Sequence, residues 1–149
     1  MNALVVYDSI YGNTKAIAEA IGGAIPGGTR VQSVSQVSDS ELQSLDLLIV
    51  GAPTHGGRPT EAMQGFLDRI PAGAVHGTRV AVFDTRLTTK LVRIFGYAAP
   101  KIADSLRAKG AIAVGSPEGF FVKGRKGPLT EGETECAARW AGEIVGSAT

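Results

Sequence analysis

Five short apolar runs, each separated from the next by turn residues and a stretch of helical periodicity, hold this chain to an alternating α/β architecture. Ala3 to Tyr7 (ALVVY) and Leu47 to Gly51 (LLIVG) are apolar throughout, which marks strands covered on both faces and central in a parallel sheet. Thr29 to Val34 alternates only in part, as expected nearer an edge. Arg79 to Phe83 is the fourth strand, and Ala111 to Val114 the fifth, resuming at Phe120 to Val122 after a Gly-Ser-Pro interruption. Between them, Asn13 to Gly22 sets Ile17, Ala20, Ile21 and Ala24 on one stripe and ends in the Gly22-Gly23 pair. Ser40 to Leu45 reads as a short helical turn. Thr60 to Ile70 and Ala98 to Lys109 read as helices, the second turning Ile102, Ala103 and Leu106 inward, and Thr130-Glu131-Gly132-Glu133 fits a capping box for a last helix. The expectation is one three-layer α/β/α domain over residues 1–149 with a five-stranded parallel sheet.

A chain of 149 residues with 44% apolar content can bury one sizeable core, and no linker divides it. Its formal net charge of +1 argues against a nucleic-acid partner. No run is long and apolar enough to span a bilayer. MNALVVYD enters a strand with no basic region before it, so no signal peptide is expected, and a single cysteine, Cys136, makes a cytoplasmic setting the default. Cys136 shares a helical face with Trp140 and Ile144, which is a packing position.

The first strand runs into Ser9-Ile10-Tyr11-Gly12-Asn13-Thr14 and then into a helix. The first N–H groups of that helix and the positive end of its dipole point into the turn, which is a socket for an anion. Ser9, Asn13, Thr14 and the Tyr11 hydroxyl add neutral donors, and Lys15 follows the turn and need not face it. A monophosphate held without a metal or a reactive lysine suits such a site. Neither G-x-x-x-x-G-K-[ST] nor G-x-G-x-x-G is present. Taken alone, the turn fits an ordinary capped strand-to-helix connection equally well.

In a parallel sheet, ligands sit outside the carboxyl ends of the strands, where the strand order reverses. Ala52-Pro53-Thr54-His55-Gly56-Gly57-Arg58-Pro59-Thr60 follows the third strand and Asp84-Thr85-Arg86-Leu87 the fourth, so both converge with the first turn on one face. Gly56-Gly57 can take backbone conformations closed to other residues, so a peptide there can flip between presenting N–H and C=O; a plain tight turn is the competing account. His55 stacks on or donates to a ligand, relays protons near neutrality, or is a bystander in solvent. The two histidines and Cys136 form no metal-ligand pattern.

With these loops in hand, the chain resembles a short-chain flavodoxin across nearly its whole length in element order, the specific motifs lying in the first loop and, less strongly, the third. The resemblance implies FMN, with Ser9, Ile10, Tyr11, Gly12, Asn13 and Thr14 around its phosphate and Pro53, Thr54, His55, Gly56 and Gly57 along the ring. It implies that Gly56 is the flipping position opposite flavin N5. Asp84, Thr85, Arg86 and Leu87 fall at the pyrimidine edge, contacting it through the backbone, and Tyr97 is a stacking candidate beyond a long connection that carries Phe95. Tyr11 stands where the family has threonine, as in its quinone-reductase branch, and His55 replaces the usual tryptophan.

Flavodoxin carriers are acidic around the cofactor, whereas Arg58, Arg86, Lys90, Arg93 and Lys101 lie on or near these loops. Positive charge favours an anionic fully reduced flavin and an acidic redox partner, reductase or acceptor. Lys123 to Lys126 (KGRK) reads as a solvated loop. Three functions follow: an FMN electron carrier, an FMN-dependent NAD(P)H or quinone oxidoreductase, or a scaffold that binds FMN poorly. A receiver domain fails because the third strand ends in Gly51-Ala52-Pro53 where an aspartate is needed, a small tyrosine phosphatase because the first loop has no cysteine, and a serine hydrolase because Ser9 has no base in these loops but His55, which the flavin reading uses better.

Overall fold

The computed structural model describes residues 1–87 and 96–148. Its elements run β1 (Ala3–Tyr7), α1 (Asn13–Ala24), β2 (Arg30–Ser33), a 3₁₀ turn (Asp39–Leu42), β3 (Leu47–Pro53), α2 (Glu61–Arg69), β4 (Arg79–Leu87), α3 (Ala98–Ala108), β5 (Ile112–Ala113), β6 (Glu118–Val122) and α4 (Glu133–Ala148). All pairings between these strands are parallel, in the order β2-β1-β3-β4-β5, with β6 also paired to β4. The order reverses between β1 and β3, so the crevice of a doubly wound sheet opens beyond their carboxyl ends.

The period of two along each strand divides the core. Leu4, Val6, Leu48, Val50, Val80 and Val82 face α2 and α3, meeting Met63, Phe66, Leu67, Ile102 and Leu106. Ala3, Val5, Leu47, Ile49, Ala81 and Phe83 face α1 and α4, meeting Ile17, Ile21, Trp140 and Ile144. Each large aliphatic chain so buried contributes roughly 1.5–3 kcal/mol. Phe83, Phe120 and Trp140 pack edge to face at centroid separations of 6.0–6.1 Å. Trp140 is thereby committed to the core. No helix of the described residues is long and apolar enough to cross a membrane.

The three-layer architecture is the expected one, and three local expectations are corrected. Gly22-Gly23 does not end the first helix, which continues to Ala24. Gly22 lies where a Cβ would come within 2.3 Å of Val31 Cγ2, so the glycine lets helix and strand close together. The fourth strand extends to Leu87, because β6 supplies partners for Phe83–Leu87 beyond the point where β5 stops. The fifth strand position is therefore split between β5 and β6. Glu133 does not reach back in a capping box; its carboxylate accepts the Phe121 N–H at 2.8 Å.

Gly51 shows how tightly the upper sheet is packed. A Cβ there would lie 2.1 Å from Phe83 Cζ, its cross-strand neighbour. Gly51→Ala is expected to cost about 1–3 kcal/mol as Phe83 is displaced, read as a lower urea midpoint at unchanged slope. A midpoint equal to wild type would show that the ring moves freely.

Candidate cofactor site

Whether a helix N-terminus can take an anion depends on what already occupies its first N–H groups. At α2 the Thr60 hydroxyl accepts from Met63 N at 3.3 Å and donates to Asp8 Oδ2 at 2.5 Å. At α3 the caps come from two other loops: Thr54 Oγ1 accepts from Ala98 N at 3.0 Å, and Asp84 Oδ2 from Ala99 N at 2.9 Å. At α1 the N-cap is Gly12, in the left-handed region at φ 94°, and brings no side chain. Ser9 Oγ accepts from Gly12 N at 3.1 Å and Lys15 N at 3.3 Å. The N–H groups of Asn13 and Thr14 have no acceptor among the described residues. The start of α2 likewise leaves Glu61 and Ala62 N–H without an acceptor among the described residues, but the open donors of α1 belong to residues that line the cleft and those of α2 do not.

That cleft is lined by Ser9, Ile10, Tyr11, Asn13 and Thr14 from the first turn, Pro53, Thr54 and His55 after β3, and Thr85, Arg86 and Leu87 at the end of β4. Val122 and Arg125 complete it, and the sequence reading named neither as a site residue. Three loops distant in sequence meet there because Thr85 binds two of them. Its hydroxyl pairs with that of Thr14 at 2.8 Å, and its carbonyl accepts Thr54 N–H at 2.9 Å. Thr14 and Thr85 are both buried. Ile10 and Tyr11, by contrast, are 52% and 44% exposed at the rim.

The glycines of the third loop form a closed hairpin. His55 and Arg58 exchange backbone hydrogen bonds of 2.8 and 3.0 Å, and Gly56 and Gly57 have φ of 57° and 79°. Positive φ at both central positions is the signature of a type I′ turn. Lys101 Nζ donates to the Gly57 carbonyl. The outer peptides are thus held by hydrogen bonds, and the central Gly56–Gly57 peptide makes none among the described residues.

Five residues expected at the cofactor lie outside the cleft lining: Asp84, Tyr97 and three glycines. Asp84 is fully buried and takes both Nε of Arg86, at 2.7 Å, and Nη2, at 2.9 Å. Tyr97 does not line the cleft; the Arg86 guanidinium sits 3.5 Å from its ring centroid. The same guanidinium passes over Gly119, where a Cβ would fall 2.2 Å from Nε. Arg86 is therefore a neutralised, stacked group at the edge of the cleft, not a free charge. Gly12, Gly56 and Gly57 shape turns without lining it. Lys90, Arg93 and Phe95, and with them the long connection after β4, lie outside the described residues. The 123–126 segment is not simply solvated: Arg125 lines the cleft, and the Lys126 carbonyl accepts from Asn13 Nδ2 at 3.2 Å.

Thr85→Val keeps the shape of the hub but leaves the buried Thr14 hydroxyl without its partner. A loss of roughly 1–3 kcal/mol in chemical denaturation is expected. No loss would show that the two hydroxyls are not coupled.

The donor set fits a flavin mononucleotide: open N–H groups and hydroxyls at one end, and a wall of Pro53–His55 at the other. Residues 4–113 match the family model described as a flavodoxin domain. The chain is similar to a flavodoxin from the domain Archaea, with a TM-score of 0.83, 27% identity and 99% of each chain covered. It is also 31% identical over 112 residues to an NAD(P)H dehydrogenase (quinone) of Acidovorax ebreus, covering 57% of this chain and 56% of that one. A Nostoc sp. protein named as a diflavin flavoprotein is 31% identical over 103 residues, 64% of this chain and 16% of its own length. The chain thus spans about half or less of the curated relatives it matches. With most of its length matched by the family model, the chain belongs to the flavodoxin family, and FMN is its cofactor.

Proposed function

We propose that residues 1–149 act as a single FMN-carrying unit that passes electrons between a reductase and an acceptor in a cytoplasmic setting, with the cofactor phosphate in the Ser9–Thr14 turn. The observation that carries this reading is that the Asn13 and Thr14 N–H groups, without acceptors among the described residues, meet the Ser9 and Thr14 hydroxyls in one cleft. FMN, when bound, supplies the one- and two-electron redox chemistry. The chain's part is to hold and tune it. Ser9, Ile10, Tyr11, Gly12, Asn13 and Thr14 surround the phosphate, Pro53, Thr54, His55, Gly56 and Gly57 run along the ring, and Thr85, Arg86 and Leu87 close the pyrimidine edge. Within the hairpin, rotation of the central Gly56–Gly57 peptide offers the ring edge an N–H or a C=O while the outer hydrogen bonds stay in place.

The electrostatic reading changes in degree. Arg86 is answered by Asp84, whereas Arg58 and Lys101, whose ammonium donates to the neutral Gly57 carbonyl, keep positive charge beside the third loop. The redox partner that suits this face is acidic. A second reading, an NAD(P)H or quinone oxidoreductase, draws on Tyr11, on the open rim beside it and on the printed name of the Acidovorax relative.

Two measurements test this. Apoprotein titrated with FMN and riboflavin should bind FMN at least about a hundredfold more tightly, as several charge-assisted hydrogen bonds imply. Thr14→Ala should lose about tenfold of that preference. Equal affinities would remove the phosphate from the turn. For the second reading, the purified chain alone should show no steady NAD(P)H-quinone turnover; sustained turnover would make it an enzyme.

A further inference from the structure

The most basic stretch of the chain, Lys-Gly-Arg-Lys-Gly at 123–127, is a built element of the site's edge. Val122 and Leu129 form an antiparallel bridge, Lys123 N–H donates to Pro128 O at 2.9 Å, and Gly127 N–H donates to Gly124 O at 2.9 Å. Those bonds close a hairpin whose tip is a four-residue turn, with Arg125 and Lys126 at its two central positions. The tip is seated on the first turn of α1. Asn13 Nδ2 donates to Lys126 O at 3.2 Å, and Gly127, at φ 103°, lies where a Cβ would be 2.6 Å from Asn13 Oδ1. Only glycine fits that approach, so a larger residue there would lift the tip away.

The seating brings charge to the open donors of α1. Arg125 is exposed and lines the same cleft as Ser9, Asn13 and Thr14. Lys126 Nζ lies 6.0 Å from the Tyr11 ring centroid. Lys123 is answered by Glu131 at 3.8 Å, but neither Arg125 nor Lys126 has a carboxylate within ion-pair distance among the described residues. A planar, permanently charged donor without a counter-ion, beside a cleft that ends in unpaired N–H groups, is matched to a phosphate dianion.

We infer that Arg125 is a ligand of the cofactor phosphate, supplied by the 122–129 hairpin and held in place by the contact of its tip with Asn13. This rests on the reading that the phosphate occupies the Ser9–Thr14 turn. It adds to the neutral turn a cationic clamp from a separate part of the chain, so that FMN affinity carries a salt-sensitive component. Lys126, held over Tyr11, contributes to the local potential without touching the ligand.

The test is a set of apoprotein titrations with FMN and with riboflavin, at low and high salt, for wild type, Arg125→Gln and Arg125→Lys. Arg125→Gln should weaken FMN by about 5- to 10-fold at low salt, leave riboflavin affinity unchanged and flatten the salt dependence. Arg125→Lys should keep most of the salt dependence, since it keeps the charge. The phosphorus NMR resonance of bound FMN should move in Arg125→Gln. Wild-type FMN affinity and salt dependence in Arg125→Gln would overturn the inference, as would an equal loss for riboflavin, which would mean a packing role. If wild type itself failed to distinguish FMN from riboflavin, the phosphate reading would fall first, and this proposal with it.

Discussion

Thr85 is the point on which the site's geometry depends. It sits near the end of β4, with its hydroxyl on Thr14 and its carbonyl on Thr54, and so joins the first turn of α1 to the loop after β3. Thr54 in turn caps α3, and Asp84, the residue before the hub, caps the same helix. One short stretch of backbone therefore sets the spacing between three loops and two helix N-termini. Buried hydroxyls demand partners, because an unpaired one costs about 1–3 kcal/mol. That demand gives the cleft walls a defined separation before any ligand arrives.

The distribution of caps follows from the same network and gives the cleft its chemistry. Helix α3 has its first two N–H groups occupied by side chains, whereas α1 begins with a glycine that offers none and leaves those of Asn13 and Thr14 open beside the cleft. Macrodipole and open donors then coincide at one place. Charge is partitioned in a similar way. Arg86 is taken into a bidentate pair with a fully buried carboxylate and stacked on Tyr97, while Arg125 and Lys126 at the hairpin tip have no carboxylate partner among the described residues. Positive charge is thus quenched at the end of β4 and exposed beside the first turn.

Much of this was legible residue by residue. Ala3–Tyr7 is bounded as its uninterrupted apolar run implies, and the alternation of strand and helix leads directly to the layered sheet. Misreadings came where the deciding partner is remote. Gly22-Gly23 looks like a helix end, but both lie inside α1, where the missing Cβ of Gly22 makes room for Val31. Asp84–Leu87 looks like a loop, but it is strand because β6 returns to pair with it. Glu133 stands at the capping-box position, yet its carboxylate has a better donor in Phe121 N–H. The polar run at 123–126 has no periodicity to say what it faces, and its contact with Asn13 lies 113 residues away in the chain.

The sequence by itself determined the fold class and the family, since hydrophobic period, turn residues and the Ser9–Thr14 motif are local and need no knowledge of partners. The tertiary structure alone decided which open helix start faces the cleft, which arginine is neutralised and which basic loop reaches the cleft. Those outcomes depend on hydrogen bonds and ion pairs between groups far apart along the chain, and folding is what brings such groups within a few ångströms of one another.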